Sequence, residues 1–388
     1  MLLSPRWFVP LSALLIPGVL TLAAQNAASP PPDQAAAPGQ SAPALHYVER
    51  EVLIPWTEAA PDGLDSLLVY ADLPGRHPLA VLTHGSSRKP EEHAEVSPWQ
   101  QLPQAQWFAR RGWVALVVVR RGYGRSGGEQ DSRHAGRCPA TTYEDAADYS
   151  AQDLRIALDY GHALPNVSSG GSIVVGVSTG GLATVALTAR NPPGVAAAIS
   201  FAGGRGSRAD HDVCNPGDLV AAFRDYGKTS RVPMLWIYAQ NDKFFWPELA
   251  QEFDAAFRSK GGNDQLVIAP PFGEDGHALF HRPAVWGGIV DQFLAQQKLA
   301  PLAQLLPEIP LPNVPPPPGL SDNGQRAFES YLLLGPHKAF AASPHHLGYA
   351  SGQLTEDLAR RKAMENCSQM TRGQEPCTVV NVDNAAVH

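Results

Sequence analysis

From about His46 to Gln297 two kinds of apolar pattern follow one another along the chain. Runs with almost no polar interruption, "LAVLTHG", "WVALVVVRRG", "SIVVGVS", "VAAAISFAGG", "VPMLWIYAQND" and "DQLVIAPP", predict strands covered on both faces, as in a parallel sheet. "HYVEREVLIP" and "LDSLLVYADLP" alternate apolar with polar residues and predict an exposed or edge hairpin. Between the runs, "LPQAQWFARRG", "TYEDAADYSAQDLRIALDYGHAL", "GGLATVALTARN", "PELAQEFDAAFRSKGG" and "AVWGGIVDQFLAQQ" have helical spacing, and several stop at a glycine or before a proline. This alternation predicts an α/β fold, a mostly parallel sheet flanked by helices on both faces.

The pattern fails at both ends, which sets the expected organisation. Residues 1–28 read as a signal peptide: Arg6 precedes the apolar stretch "WFVPLSALLIPGVLTLAA", and small residues follow. Pro10, Pro17 and Gly18 interrupt that stretch, so it falls short of a spanning helix and no membrane span is expected in the mature protein; an uncleaved anchor is the alternative. Residues 29–44, rich in Ala and Pro, are expected to be a disordered leader, and residues 45–300 to hold the α/β unit. Eight prolines between Pro301 and Pro318 predict an extended linker over 301–320. Beyond it, 321–388 reads as a small β-β-α-β module: a hairpin in "HKAFAASPHHLGYASG", a helix in "LTEDLARRKAMENCSQM" and a strand in "PCTVVNVD". The partner of that module is not legible.

Charge and cysteines narrow the setting. A net charge of −7 and the lack of any long Lys/Arg cluster exclude the basic surface that nucleic acid requires. Export predicts a secreted or periplasmic protein, where four cysteines with no C-x-x-C spacing suggest disulfides and no metal site. Four cysteines allow three pairings, and position favours Cys138 with Cys214 and Cys367 with Cys377.

The candidate chemistry lies where "GSIVVGVSTGG" runs from a strand into "GLATVALTAR". Strand, sharp turn and helix around Gly176-Val177-Ser178-Thr179-Gly180 give the setting of a nucleophile elbow, in which the residues two before and two after the serine come too close for side chains. A serine hydroxyl needs a base, and the base an orienting acid. Asp242 follows the strand "MLWIYAQND", and His277 lies in a glycine-bounded turn after the last strand. All three are then at carboxyl ends of strands, where open α/β sheets build their sites. Glu274, Asp275 and Asp264 are the rival acids, and His281 the other histidine of the interval, falling where the closing helix begins. The oxyanion requires two backbone N–H donors. Thr179 is one; Ser86, in the loop after "LAVLTHG", is the second, with Gly85 and Ser87 as alternatives and His84 shaping the loop.

With these residues in place, 46–297 resembles the α/β-hydrolase superfamily. "THGSS", "RRGYGRSGGE", "GVSTGG", "AQNDKF" and "GEDGHALF" are similar to dienelactone-hydrolase-like esterases and to the catalytic domains of prolyl-oligopeptidase-type peptidases. The chain departs from the first in having Ser178 where a cysteine is usual, and from the second in lacking an amino-terminal propeller. The resemblance implies a serine hydrolase without cofactor, acting on a small-molecule ester or a short peptide. Carboxylic-ester cleavage is the main expectation; a peptidase, and a binding protein on an inactive scaffold, are the alternatives. Two insertions, "GYGRSGGEQDSRHAGRCPATTYED" and "AGGRGSRADHDVCNPGDLVAAFRDYGK", are expected to set specificity, with a Cys138–Cys214 bridge fixing the pocket entrance. Arg205 and Arg208 within them read as solvated loop arginines, with contact to an anionic substrate as the alternative; Phe244, Phe245, Trp246 and Phe272 border the acid and histidine turns and read as packing residues, with the lining of an apolar pocket as the alternative.

Overall fold

Continuous apolar runs become strands whose two faces both enter a core. In Val114–Val118, Val114, Leu116 and Val118 belong to one buried cluster and Ala115 and Val117 to another, so no position is left for a polar side chain. The computed structural model describes residues 45–387; the expected signal peptide 1–28 and leader 29–44 lie outside the described residues. Eight strands make the main sheet: β1 (Tyr47–Ile54), β2 (Leu64–Ala71), β3 (Leu79–Thr83), β4 (Val114–Val118), β5 (Ser172–Val177), β6 (Val195–Phe201), β7 (Met234–Ala239) and β8 (Asp264–Ala269). Their order is β1-β2-β4-β3-β5-β6-β7-β8. Only β1–β2 and β2–β4 are antiparallel, as the alternating pattern of the first two strands predicts.

Helices α1 (Leu102–Ala109), α2 (Tyr143–His162), α3 (Thr179–Thr188), α4 (Pro216–Gly227), α5 (Pro247–Arg258) and α6 (Pro283–Gln296) cover the sheet. Apolar residues of α2 to α5 join one core, and those of α1 and α6 the other, which is the two-faced α/β arrangement. Helix α4 falls within the second of the two insertions. Its Leu219, Ala222, Phe223 and Tyr226 form a buried stripe behind Pro216 at the first turn, and that stripe seats it on the sheet.

The C-terminal β-rich unit has strands β9 (Ala339–Ala342), β10 (Leu347–Ala350), β11 (Thr378–Val382) and β12 (Ala385–Ala386) in the order β10-β9-β11-β12, with α8 (Glu356–Thr371) against them. The Cys367–Cys377 bridge ties α8 to the approach of β11. The structure adds a helix that the sequence pattern did not bring out, α7 (Asp322–Leu332). Ser321 caps it by accepting a hydrogen bond from the Gly324 N–H, and Phe328, Tyr331 and Leu332 bury its apolar face against Phe340.

The proline-rich segment between α6 and α7 carries no regular hydrogen-bonded element, as its composition predicts, yet it is fastened at Leu306–Glu308. The Leu306 N–H donates to the Arg110 carbonyl at 2.9 Å and the Tyr47 hydroxyl to the Pro307 carbonyl at 2.7 Å. It is a strap across the α1 face of the sheet.

Candidate active site

Glycine spacing builds the turn at Ser178. The serine has φ 56° and ψ −120°, a backbone conformation that costs about 1–3 kcal/mol. The turn closes so tightly that a Cβ on Gly176 would lie 2.1 Å from the Gly180 carbonyl oxygen, and one on Gly180 2.4 Å from the His84 oxygen. The serine is pinned as well: its N–H donates to the Phe201 carbonyl at 2.9 Å, and its own carbonyl accepts from Leu182 and Gly204. Thr179 is the first residue of α3, so its N–H has no intrahelical acceptor.

Asp242 and His277 meet, from turns after β7 and β8. Nδ1 of His277 lies 3.2 and 3.1 Å from the two carboxylate oxygens of Asp242, which is wholly buried. Oδ1 of Asp242 also accepts the N–H groups of Phe244 and Phe245, at 2.8 and 2.9 Å, fixing the carboxylate before it touches the ring. The rival carboxylates take other tasks. Asp275 accepts from the His277 and Lys243 N–H groups, joining the two turns, while Asp264 begins β8 at the opposite edge of the sheet.

Ser178 and His277 line one cavity of about 350 Å3, together with His84, Gly85, Ser86 and His281. No hydrogen bond joins Ser178 Oγ to the imidazole among the described residues; such bonds are commonly long before substrate arrives. The loop after β3 presses on the elbow, since a Cβ on Gly85 would lie 2.8 Å from the Ser178 Cβ. Ser86 is held there by its hydroxyl, 2.7 Å from the Tyr123 hydroxyl and 2.9 Å from that of Thr179. His84 shapes this loop: Nε2 accepts from the Arg120 N–H and Nδ1 donates to the Gly85 carbonyl. Burial, aided by the Arg120 charge, holds the His84 pKa well below the ordinary histidine range, so the ring is neutral.

At two positions the structure departs from the favoured sequence reading. Arg205 is not a solvated arginine. It is buried, it lines a second cavity of about 110 Å3 beside Ser178, and it pairs with the buried Asp131. Asp131 accepts from the Tyr123 and Ser150 hydroxyls at 2.7 Å each and faces Arg120, whose own guanidinium reaches the Thr179 hydroxyl at 2.9 Å. Burial opposes the Asp131 charge, but Arg205 and Arg120 outweigh it and hold the carboxyl well below the usual range. Arg208, by contrast, is exposed and pairs with Asp212 as a surface arginine would. The second position is Phe244. Its ring stacks on His277 with centroids 3.9 Å apart and planes 9° apart, and Arg88 covers its other face at 3.5 Å. Phe245 and Trp246 pack with the core, Phe245 from within it, and Phe272 packs against the core of the α1 face. Two adjacent signals were available for the first position: the charged pair Arg120-Arg121 directly after β4, and the insertion that follows it.

The cysteines pair as expected. Cys138, at the tip of a short hairpin between Gly136–Arg137 and Ala140–Thr141, bridges to Cys214 just ahead of α4. Ser132, from one bridged insertion, and Arg205 to Ser207, from the other, line the smaller cavity. Among the described residues no group of three or more His, Cys, Asp or Glu side chains is arranged to hold a metal, and no helix is long and apolar enough to cross a membrane.

No curated protein matches the chain. Solved structures similar to it include an esterase of Pyrococcus furiosus (18% identity over 65% of this chain and 90% of that one, TM-score 0.43) and acetyl xylan esterase 1 of a Thermoanaerobacterium species (14%, 65% and 88%, TM-score 0.43). An acylaminoacyl peptidase of Pyrococcus horikoshii is also similar (16% identity over 67% of this chain and 43% of that one, TM-score 0.48). The match to a family is direct: residues 100–287, from just ahead of α1 to the first turns of α6, fit the dienelactone hydrolase family.

Proposed function

We propose that this protein is a secreted or periplasmic serine hydrolase of carboxylic esters. Ser178 Oγ attacks the ester carbonyl while His277 takes its proton, and Asp242, on Nδ1, holds the ring in the tautomer that leaves Nε2 free. The N–H groups of Thr179 and Ser86 receive the oxyanion. His277 then passes the proton to the departing alcohol, and a water, deprotonated by the same ring, releases the acid from the acyl-enzyme. No metal or organic cofactor enters this scheme.

The observation that carries the reading is the Asp242–His277 contact, with His277 lining the same cavity as a serine at a strained, glycine-flanked turn. Two disulfides suit an oxidising compartment. The substrate is a small ester; short peptides are the second class, and no nucleic acid is a partner. Fluorophosphonate labelling with peptide mass spectrometry tests the assignment. Label confined to Ser178, absent in Ser178→Ala, is the expected result. Label elsewhere, or none on folded protein, overturns it in favour of a binding protein on an inactive scaffold, and turnover of aminoacyl amides in preference to esters moves it to a peptidase.

A further inference from the structure

The C-terminal unit reaches two cavities, one that holds the serine and a second that shares a wall with it. In the nearer one, which holds Ser178 and His277, Lys362 of α8 stands on the rim with its ammonium 2.6 Å from Glu95. The farther one, about 660 Å3, opens in the seam between α1, the start of α6, the proline-rich strap and the C-terminal unit. Gln100 and His281 line both, so the two spaces share a wall.

The farther cavity is apolar over much of its lining, with Trp107, Leu305, Ile309, Leu333, Leu334 and Tyr349 converging from four segments of chain. Leu305 keeps 54% of its surface exposed there, although the next residue, Leu306, is hydrogen-bonded to Arg110. The cations around it are largely matched: Arg110 pairs with Glu308 at 3.3 Å, and Arg111 lies on the Trp107 ring and pairs with Asp291 at 2.6 Å, leaving Arg282 exposed near the His281 wall. Space of this size, at a seam between packed units, is where small-molecule arms are commonly held.

We propose that this seam is the subsite for the remote arm of the substrate: an ester whose carbonyl sits at Ser178 and whose acyl chain, aliphatic or aryl, passes between Gln100 and His281 to lie against Leu305 and Leu334. The C-terminal unit is then the outer wall of the binding groove. The proposal rests on the serine-hydrolase reading. Each methylene newly buried raises kcat/KM by roughly fourfold, so a medium-chain ester gains well over tenfold on the acetate.

The test measures kcat/KM for p-nitrophenyl acetate, butyrate, octanoate and dodecanoate with the full chain, alongside Leu305→Asp and Leu334→Trp. The first variant places a charge in the seam from an exposed position, so folding is not at risk; the second fills the space. The expected result is a rise from acetate to octanoate in the wild type and at least a tenfold fall of the octanoate-to-acetate ratio in each variant. A flat chain-length profile in the wild type, or a ratio unmoved in both variants while acetate is still hydrolysed, overturns the subsite and leaves the serine assignment standing. Failure to hydrolyse any ester together with failure of Ser178 to label overturns both.

Discussion

Asp131→Asn is the substitution that most directly tests how the site is held. The wild-type carboxylate is 1% exposed, faces two guanidiniums that are themselves buried, and accepts two hydroxyl donors at 2.7 Å. The amide keeps the volume and part of the hydrogen bonding but leaves Arg120 and Arg205 as uncompensated buried charges. Removing one partner of a buried ion pair costs about 3–5 kcal/mol. With an unfolding entropy of about 2 cal/mol/K per residue, near 0.7 kcal/mol/K for a chain of this size, that loss lowers Tm by about 4–7 °C. The pH dependence has a definite sign. The folded-state pKa of Asp131 is depressed, so its contribution is present above the unfolded carboxyl value of about 3.9 and is lost as pH falls through the depressed value. The variant therefore lacks part of the wild type's loss of stability below about pH 4. Urea unfolding at pH 7 and at pH 3, with disulfides intact, reads both effects. A loss under about 1 kcal/mol at pH 7, or equal losses at the two pH values, refutes the account of Asp131 as the charge that holds both arginines. Asp131→Asn with Arg205→Met recovers part of the loss, since one of the unmatched charges is gone.

Other consequences follow from single contacts. Asp242→Asn, which reverses the donor and acceptor sense at Nδ1, lowers kcat on p-nitrophenyl acetate by about 10³–10⁴-fold; a fall under tenfold means another group orients His277. Gly180→Ala forces the His84 carbonyl away from a Cβ 2.4 Å distant, so Tm falls, by about 1–3 kcal/mol of destabilisation, and the rate of fluorophosphonate labelling falls with it; wild-type labelling and Tm sink the elbow geometry. Burial, reinforced by Asp254, pushes the Asp264 pKa up to about 8. A raised folded value means stability present below the unfolded pKa of about 3.9 and lost as pH climbs through 8, so Asp264→Asn flattens the decline of Tm between pH 5 and pH 9; an unaltered slope rejects it.

Local signals carried the sheet and the elbow, because both are written in contiguous residues. An unbroken run such as "VPMLWIYA" has only one economical arrangement, with Met234, Trp236 and Tyr238 on one face and Leu235 and Ile237 on the other. Asp242 and His277 could be placed because strand ends on one edge of a parallel sheet are neighbours whatever the loops do. Arg205 could not. Its exposure depends on Asp131, 74 residues earlier in a different insertion, and nothing local to "GGRGSRAD" distinguishes it from Arg208, which is solvated as expected. The position of Lys362 at the serine cavity is likewise a consequence of how α8 lies on the main sheet's loops, which the periodicity of α8 does not encode.

The same distinction explains how a strained serine persists. A φ of 56° is tolerated only where the surroundings fix it more strongly than the backbone resists. Three backbone hydrogen bonds hold Ser178 itself, but they reach only to β6, the loop directly after it and α3, elements that could move together. The long-range restraint comes from Arg120, which joins the Thr179 hydroxyl to Thr83 and to the His84 carbonyl, and so clamps the elbow to the end of β3. Arg120 is wholly buried, and its charge is tolerated there because Asp131 is close by, drawn in by Arg205 and two hydroxyls. The insertion that carries Asp131 is bridged through Cys138 to the insertion that carries Arg205. Strain at Ser178, the buried ion cluster and the disulfide between the insertions therefore form one mechanical chain, and loosening any link should register first at Ser178.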